Sequence, residues 1–326
     1  MYDVITIGSA TRDVFVKSTA FEIHSKDHST SSVEGCFPLG SKIEIDELVL
    51  ETGGGATNAA TTFSRLGHRV ATVAAIGDDA PGTAIMNVLS AEGVDPSHLQ
   101  VLKGGRTGYS VILLAGSGER TVLVFRGAAE KLNASAIPWR SLAAKWLYIS
   151  SIGGDLKLMG KILDHAARRK IKVAWNPGSK EIRQGLRALT PLIKKVDLFN
   201  LNKEEAAQLV STDPQNFTHI VKSLRSLPRR ALIVTDGLAG AYAAEGEKAW
   251  HCNVIDVPRI NVTGAGDAFG SGVVAGLLKK DDIRYALAVG TWNATGVVQQ
   301  MGAKRGIIRS YPSAAAIKKV VIRPWK

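Results

Sequence analysis

The sequence predicts an α/β protein with a doubly wound, mostly parallel sheet and a small β-sheet lid. The first observation is that short apolar runs alternate with helical patterns after residue 144. Strands joined by helices form right-handed crossovers, which wind a parallel sheet. The second is that residues 70–76 are apolar except for Thr72, as in a strand buried on both faces. The third is a set of strand-like segments outside this alternation, at 13–17, 42–50 and 107–126, which predict the lid.

Length and composition allow one large core. Of 326 residues, 45% are hydrophobic and 21% are charged. We expect a single α/β domain over 1–326, with the lid formed by inserted segments at about 12–50 and 105–127. No apolar stretch approaches the roughly 20 residues of a membrane span, and the N-terminus enters a strand without a basic leader. We therefore expect a cytoplasmic protein with no membrane partner.

Charge and cysteine content narrow the class of function further. The net charge is +12, and lysine and arginine concentrate at 157–195 and 304–326. No aromatic-rich basic stripe or zinc-finger spacing accompanies them, so we expect no nucleic-acid partner. For the cluster at 168–172, which ends a predicted helix, we expect a solvated structural role. Cys36 and Cys252 are too few for a disulfide framework and lack metal-ligand spacing.

The N-terminal half begins with a strand that ends at Gly8, and Asp13 follows at a polar junction. In parallel sheets ligands collect beyond the carboxyl ends of strands, so Asp13 is a candidate for hydroxyl recognition, with a turn cap as the equal alternative. Residues 17–40 show no period and predict a loop or flap. A hairpin around Gly116-Ser117-Gly118 is predicted between the two β-rich runs of 107–126.

A glycine run at Gly53-Gly54-Gly55 opens the first predicted helix. Three glycines let a ligand approach the backbone closely. Asn58, one turn into the helix, offers both a donor and an acceptor. The run predicts a binding site for a small molecule, and a structural turn is the alternative.

The second half delivers polar residues to strand ends. Strand 196–201 leads to Asn202 and Glu205, which suit either a capping box or a site for hydrated Mg²⁺. Strand 231–235 ends at Asp236 followed by Gly237. Both interpretations of Asn202 and Glu205 stay open at this point.

The stretch from Thr263 to Asp267 carries the most specific chemistry. Small residues open a helix here, so unpaired backbone N–H groups and the positive end of the helix dipole form an anion site. A carboxylate in that site repels a resting phosphate. Asp267 therefore indicates chemistry beside a transferring phosphoryl group.

Both glycine stretches, in this order and spacing, resemble the signatures of the ribokinase-like (phosphofructokinase B type) carbohydrate kinases. The first is Gly53 to Asn58 and the second is Thr263 to Phe269. The resemblance covers essentially the whole chain. It implies an α/β core with a β lid, ATP and Mg²⁺ as co-substrates, and phosphorylation of a sugar-type hydroxyl.

The resemblance also implies roles for individual positions. Asp267 matches the catalytic base, and Asn261 stands where many members carry an aspartate, so activation by a monovalent cation such as potassium stays open. Several members carry larger residues at Gly55, so the substrate cannot be copied from any subgroup. The remaining matches are Gly264, Ala265 and Gly266 for the anion hole, Asp13, Gly53, Gly54 and Asn58 for the sugar, Asn202, Thr235, Gly237 and Asn293 for the nucleotide, and Asn202 and Glu205 for Mg²⁺.

Other interpretations remain. Gly264-x-Gly266-x-x-x-Gly270 superficially matches the loop of an NAD-binding oxidoreductase, although Asp267 would face the pyrophosphate. A non-catalytic anion binder is the second rival. Among kinases, the acceptor is a free sugar, a sugar phosphate or a nucleoside. Arginines near the lid would suit a phosphate and aromatic residues a base; these are Arg12, Arg106, Arg126, Phe15, Tyr109 and Phe125. Pairing of two lids would give a homodimer.

Overall fold

The computed structural model describes residues 1–25, 33–36, 39–114 and 120–325. Its strands are β1 Tyr2–Ile7, β2 Thr11–Lys17, β3 Glu22–Ser25, β4 Val33–Cys36, β5 Glu47–Gly53, β6 Val70–Val73, β7 Ala75–Gly77, β8 Gln100–Leu102, β9 Gly108–Leu114, β10 Arg120–Phe125, β11 Ala144–Ile149, β12 Lys172–Trp175, β13 Leu198–Asn202, β14 Ala231–Thr235, β15 Ala241–Glu245, β16 Lys248–Cys252 and β17 Ile322–Pro324. Its helices are α1 Gly55–Arg65, α2 Ala80–Ala91, α3 Leu156–Arg169, α4 Ser179–Ile182, α5 Gly185–Ile193, α6 Lys203–Leu209, α7 Phe217–Leu224, α8 Ala265–Lys279, α9 Ile283–Val298 and α10 Ala314–Lys319.

The main sheet has nine strands in the order β17-β16-β15-β14-β13-β12-β11-β1-β6. The six from β14 to β6 are parallel, and β15, β16 and β17 continue the sheet in antiparallel fashion. Strands β11 to β14 follow one another in sequence because a helical crossover returns the chain to the same edge each time. The prediction of a doubly wound, mostly parallel sheet is confirmed.

Helices cover both faces of this sheet and enclose two cores. One core contains Trp175 and Phe199 with apolar residues of α3, α5, α6 and α7, and the other contains Phe63 and Tyr148 with residues of α1, α2, α8 and α9. Helix α8 packs along α9, and α1 also lies against α8. That contact brings the two glycine stretches together. Within the described part of the chain, no helix combines the length and apolarity that crossing a bilayer requires.

A second, four-stranded sheet forms the predicted lid. Its order is β10-β9-β2-β5, and β2 and β9 are its parallel pair. Four buried side chains, those of Phe15, Val49, Ile112 and Leu114, pack into a small core of its own. All six residues of β10 are exposed. The lid therefore has one packed region and an exposed edge strand, β10, which pairs with β9.

Two predictions for the lid region are wrong in detail. The sequence predicts no regular structure over 17–40, but β3 and β4 pair as an antiparallel ladder there. The strand predicted at 42–50 begins only at Glu47, because its partner β2 ends at Lys17, opposite Glu47. The Asp46 amide still donates to the Lys17 carbonyl at 2.8 Å, but the paired register of the two strands ends at Glu47. The predicted turn at Gly116-Ser117-Gly118 lies outside the described residues.

Candidate active site

The start of α8 is shaped by Gly264. This residue has φ of 83°, in the left-handed region that favours glycine, and a Cβ there would lie 2.5 Å from the Cβ of Ala303. A Cβ on Gly266 would meet nothing within 4 Å. The amide of Ala265 donates to the Val262 carbonyl at 3.2 Å. The start of α8 at Gly266 is therefore uncrowded by other side chains, which leaves room for an anion at a helix start.

A cavity of about 450 Å³ opens directly in front of this helix start. Its size is that of a pocket for a small organic ligand. Residues from the ends of β13 and β14 and from α8 and α9 line it, including Asn202, Thr235, Gly237, Ala265, Gly266 and Thr295. Apolar side chains, among them Leu238, Ile255, Val262, Phe269 and Val298, supply the rest of the wall. The predicted positions Asn202, Thr235 and Gly237 therefore share one cavity with the anion site.

Asp267 stands in the first turn of α8, half-buried, next to this anion site. The Asn58 amide nitrogen of α1 donates to its Oδ2 at 2.8 Å. Burial raises the pKa of the Asp267 carboxyl, while the Asn58 hydrogen bond and the charge of Lys304 act to lower it. The two glycine stretches, 209 positions apart, thus meet in one hydrogen bond.

The glycine run before α1 is required by close packing within the protein. A Cβ on Gly53 would lie 1.8 Å from Asp13 Oδ2, and one on Gly54, which has φ of 94°, would lie 2.4 Å from the Ser9 carbonyl oxygen. A Cβ on Gly55 would approach Ser150 Cβ to 2.6 Å and Asp267 Oδ1 to 3.2 Å. The run lets Asp13, Ser150 and Asp267 approach the same short segment.

Asp13 is buried on β2 beside the run. Thr11 donates to its Oδ1 at 3.0 Å, and burial raises the pKa of this carboxyl. The hydroxyl of Ser150, which follows β11, is buried and has no hydrogen-bond partner among the described residues. Together with Asn58, these groups form a polar rim around Asp267, and they are not among the residues that line the cavity.

Lys304 completes this cluster, and no sequence pattern pointed to it. Its side chain is only 3% exposed, although it lies in a segment rich in lysine and arginine. Its ammonium donates to the Thr52 carbonyl at 2.5 Å, Thr57 Oγ1 at 2.9 Å and Asn58 Oδ1 at 2.7 Å. Its partners are about 250 positions away, so no local pattern could indicate the burial.

Asn202 and Glu205 form a reciprocal capping box at the start of α6. The Glu205 amide donates to Asn202 Oδ1 at 2.7 Å, and the Asn202 amide donates to Glu205 Oε2 at 3.0 Å. Burial raises the pKa of Glu205, and the charges of Asp267 and Glu204 raise it further. The box engages only Oε2 of Glu205, and Asn202 Oδ1 is a carbonyl oxygen with two lone pairs, of which the box uses one, so a hard cation beside the cavity still fits this carboxylate and amide set. The described residues contain no cluster of three or more His, Cys, Asp or Glu side chains.

Asn293 does not reach the cavity, contrary to the sequence interpretation. It is fully buried on α9, where its amide nitrogen donates to Thr62 Oγ1 and the Ala268 carbonyl, and its oxygen accepts from the Ile308 amide. Thr291, Ala294, Thr295 and Val298 line the cavity instead. These residues recur every three or four positions and share one face of α9, from which Asn293 points away.

Comparison with known proteins decides the family. The profile of the pfkB family carbohydrate kinases matches residues 6–309. The chain belongs to the pfkB family of carbohydrate kinases. The prediction from the two glycine signatures is confirmed, and the alternatives of an NAD-binding oxidoreductase and of a non-catalytic anion binder are set aside.

Individual members of the pfkB family resemble the chain over most of its length. It is 25% identical to a ribokinase of Haemophilus influenzae over 260 residues, covering 78% of this chain and 83% of the relative. It is 26% identical to a cytidine kinase of Thermococcus kodakarensis, covering 82% and 92%. A ribokinase of Cryptococcus neoformans var. grubii, solved with ADP, superposes with a TM-score of 0.76 at 22% identity, covering 98% and 99%, which establishes the shared fold.

Proposed function

We propose that this carbohydrate kinase transfers the γ-phosphate of ATP to a hydroxyl of a small sugar or nucleoside, with Asp267 as the base. The observation that carries the proposal is the position of Asp267 between two binding regions. Its chain neighbours Ala265 and Gly266 line the cavity, while its carboxylate bonds to Asn58 and approaches Gly55, beside Ser150, at the polar rim. A group that takes a proton from an attacking hydroxyl has to stand at such a boundary.

The cavity suits a nucleotide. Its apolar wall matches a base and ribose, and the α8 start at its end matches a phosphate chain, because helix N-termini attract anions. The ribokinase solved with ADP supports this assignment by its shared fold. The amides of Gly264, Ala265 and Gly266 form the proposed anion hole. The Ala265 amide bonds to Val262 in this structure, so it reaches a phosphate only if that bond opens.

Mg²⁺ supplies neutralisation of the phosphate charge during transfer. Asn202, which lines the cavity, and Glu205, which is hydrogen-bonded to it, would hold it through their oxygens or through water. Mg²⁺ keeps several waters and takes few protein ligands when phosphates are present. A monovalent cation has less support, because Asn261 is buried with its oxygen accepting from the Thr263 amide.

Asp267 can serve as a base because burial raises its pKa, while the Asn58 hydrogen bond and the charge of Lys304 favour the ionised form. A hydroxyl loses its proton late, as it bonds to phosphorus, so a weak carboxylate base suffices. Asn58 holds one carboxylate oxygen, which fixes the direction of the other. Transfer then depends chiefly on positioning and charge, as in phosphoryl transfer generally.

The acceptor site favours a neutral polyhydroxylated compound over a sugar phosphate. Asp13 is a buried acceptor for hydroxyl groups, and Ser150 offers an unpaired hydroxyl. Arg126, one of the arginines considered as a ligand for a substrate phosphate, is exposed, and its Nε lies 3.6 Å from Glu130 Oε1. The relatives named ribokinase and cytidine kinase are consistent with acceptors that carry a pentose.

We also propose that two copies pair through their lids in the cytoplasm. The exposed apolar side chains of the lid sheet support this, because such patches mark interaction sites. They are Leu48, Leu50, Val122, Leu123, Val124 and Phe125. Val122→Lys together with Val124→Lys on β10 should shift a dimer to monomer in sedimentation. A wild-type monomer at micromolar concentration would contradict the proposal.

A substrate screen tests the proposed function directly. Purified protein with ATP and Mg²⁺ is offered ribose, fructose, their phosphates, adenosine, cytidine and inosine, and ADP release is measured. Acceptor-dependent ADP release with a free sugar or nucleoside, absent in Asp267→Asn, is the expected result. A strict requirement for a sugar phosphate would overturn the choice of acceptor class. Release of ADP that no acceptor stimulates would overturn the proposal itself.

A further inference from the structure

Lys304 is a buried cation whose three donors are all engaged. It lies in the segment between α9 and α10, and its partners are Thr52 O, Thr57 Oγ1 and Asn58 Oδ1. An ammonium group has three N–H donors and cannot accept a hydrogen bond. The atom of Asn58 that faces it must therefore be the carbonyl oxygen. The three contacts fix Lys304 and, through it, the orientation of the Asn58 amide.

That orientation decides what Asn58 offers to Asp267. With its oxygen toward Lys304, the amide directs Nδ2 to Asp267 Oδ2 at 2.8 Å. The flipped amide would place NH₂ against the ammonium and oxygen against the carboxylate, two repulsive contacts in place of two hydrogen bonds. Lys304, Asn58 and Asp267 thus form a chain in which each group determines the next.

The charged groups around Lys304 also link this residue to Asp267. The charges that act on Lys304 come from four elements around it, namely Asp13 on β2, Glu51 on β5, Glu92 after α2 and Asp267 on α8. Arg305 pairs with Glu51 and Arg65 pairs with Glu92, both at 2.5 Å. Asp13 and Asp267 have no such pairing with an arginine or lysine among the described residues. Lys304 therefore provides the nearby compensation for these two carboxylates, while burial lowers the pKa of Lys304 itself to about 8.

We propose that Lys304 is a positioning residue for the transfer reaction: it holds the Asn58 amide toward Asp267 and keeps the Asp267 carboxylate ionised. The inference rests on the proposed function in that Asp267 is the base there. It differs from a structural role because it predicts the ionisation of another residue. Removing the positive charge should make the Asp267 carboxylate harder to form.

The experiment compares three substitutions at this position with a neighbouring control. Lys304→Met removes the donors and the charge, Lys304→Gln keeps donors but removes the charge, and Lys304→Arg keeps the charge. Arg305→Met makes the same change of charge one residue away, at a side chain that is half exposed. Near-ultraviolet circular dichroism identifies which variants fold.

The first readout is the titration of the Asp267 carboxyl, followed by carbon-13 NMR in protein labelled at aspartate Cγ and assigned by the missing signal of Asp267→Asn. Lys304→Met and Lys304→Gln should raise the titration midpoint by about one pH unit, the usual effect of an opposite charge nearby. Lys304→Arg and Arg305→Met should leave it near the wild-type value. A midpoint in a folded neutral variant that equals that of the wild type overturns the proposal.

The second readout is the pH profile of kcat/KM for the acceptor found in the screen. In the neutral variants the acidic limb of the profile should shift to higher pH. A shift of one pH unit corresponds to about tenfold lower kcat/KM at the acidic end. The wild type should show an alkaline limb near pH 8 that Lys304→Arg lacks. If neither neutral variant folds, absence of that limb from the wild type, or its persistence in Lys304→Arg, overturns the proposal. A wild type that phosphorylates nothing defeats the proposed function alone, because the NMR titration needs no acceptor.

Discussion

Substitution by alanine should lower stability at Gly264 but leave it nearly unchanged at Gly266, although both glycines belong to one motif. In Gly264→Ala, a left-handed backbone at φ of 83° costs about 1–2 kcal/mol for a residue with a Cβ. That Cβ would also lie 2.5 Å from Ala303 Cβ and 2.9 Å from Ala303 Cα, an overlap that typically costs about 1–3 kcal/mol more. We expect the free energy of unfolding to fall by about 2–5 kcal/mol. In Gly266→Ala a Cβ meets nothing, so stability should change by less than about 1 kcal/mol.

Nucleotide binding, in contrast to stability, should be impaired by the substitution at Gly266. The Cβ of Gly266→Ala projects where Gly266 lines the cavity, so it should weaken ATP binding in a protein as stable as the wild type. Urea denaturation measures the free energies, and isothermal titration with an ATP analogue measures affinity. Equal losses of stability in the two variants would refute the reasoning about Gly264. Unchanged nucleotide affinity in Gly266→Ala would refute the placement of phosphate at this helix start.

Three further predictions concern single side chains. Glu205→Gln keeps the capping acceptor, so stability should change by less than about 0.5 kcal/mol. The Mg²⁺ concentration for half-maximal turnover should rise. An unchanged Mg²⁺ requirement would count against the metal site. The pKa of Lys304 falls from 10.5 in the unfolded chain to about 8 in the folded protein. Between these two pH values the unfolded chain binds more protons than the folded protein does. The contribution of Lys304 to stability therefore rises with pH in this range, by up to about 3 kcal/mol. Urea curves of wild type minus Lys304→Met should show that rise, and a flat difference from pH 8 to 10 would contradict it. Tyr148→Phe removes a buried hydroxyl that lacks a partner among the described residues, so thermal denaturation should show a gain of about 1 kcal/mol; a loss would reveal a hidden partner.

Much of the fold follows from local patterns. The apolar strands and intervening helices predict the parallel sheet, because buried strands and crossovers leave a signature in each short segment. The limits of β5 do not follow, since they depend on where β2 ends, and pairing partners are set by tertiary structure. The same holds for β3 and β4, which pair within a stretch without a clear period.

The candidate site divides in the same way. Gly264 and Asp267 were predictable because a helix start and its anion site are local features. The hydrogen bond from Asn58 to Asp267 is evident in neither motif alone, although the resemblance assigned both residues to one site. Lys304 was missed because a lysine in a basic segment is usually solvated, and its burial arises only from distant partners. Asn293 was assigned to the nucleotide by the resemblance, and a match of position does not reveal that this side chain is absent from the cavity lining.

The central claim is that Asp267 is the base of an ATP-dependent transfer to a hydroxyl. Its most direct test is turnover and ATP binding of Asp267→Asn, measured with the acceptor that the wild type uses. Asparagine has a similar shape but cannot take the proton, so kcat should fall by about 10²–10⁴ or more. The dissociation constant for ATP should be unchanged or lower, since a negative charge beside the phosphates is removed. A kcat near that of the wild type would contradict the account.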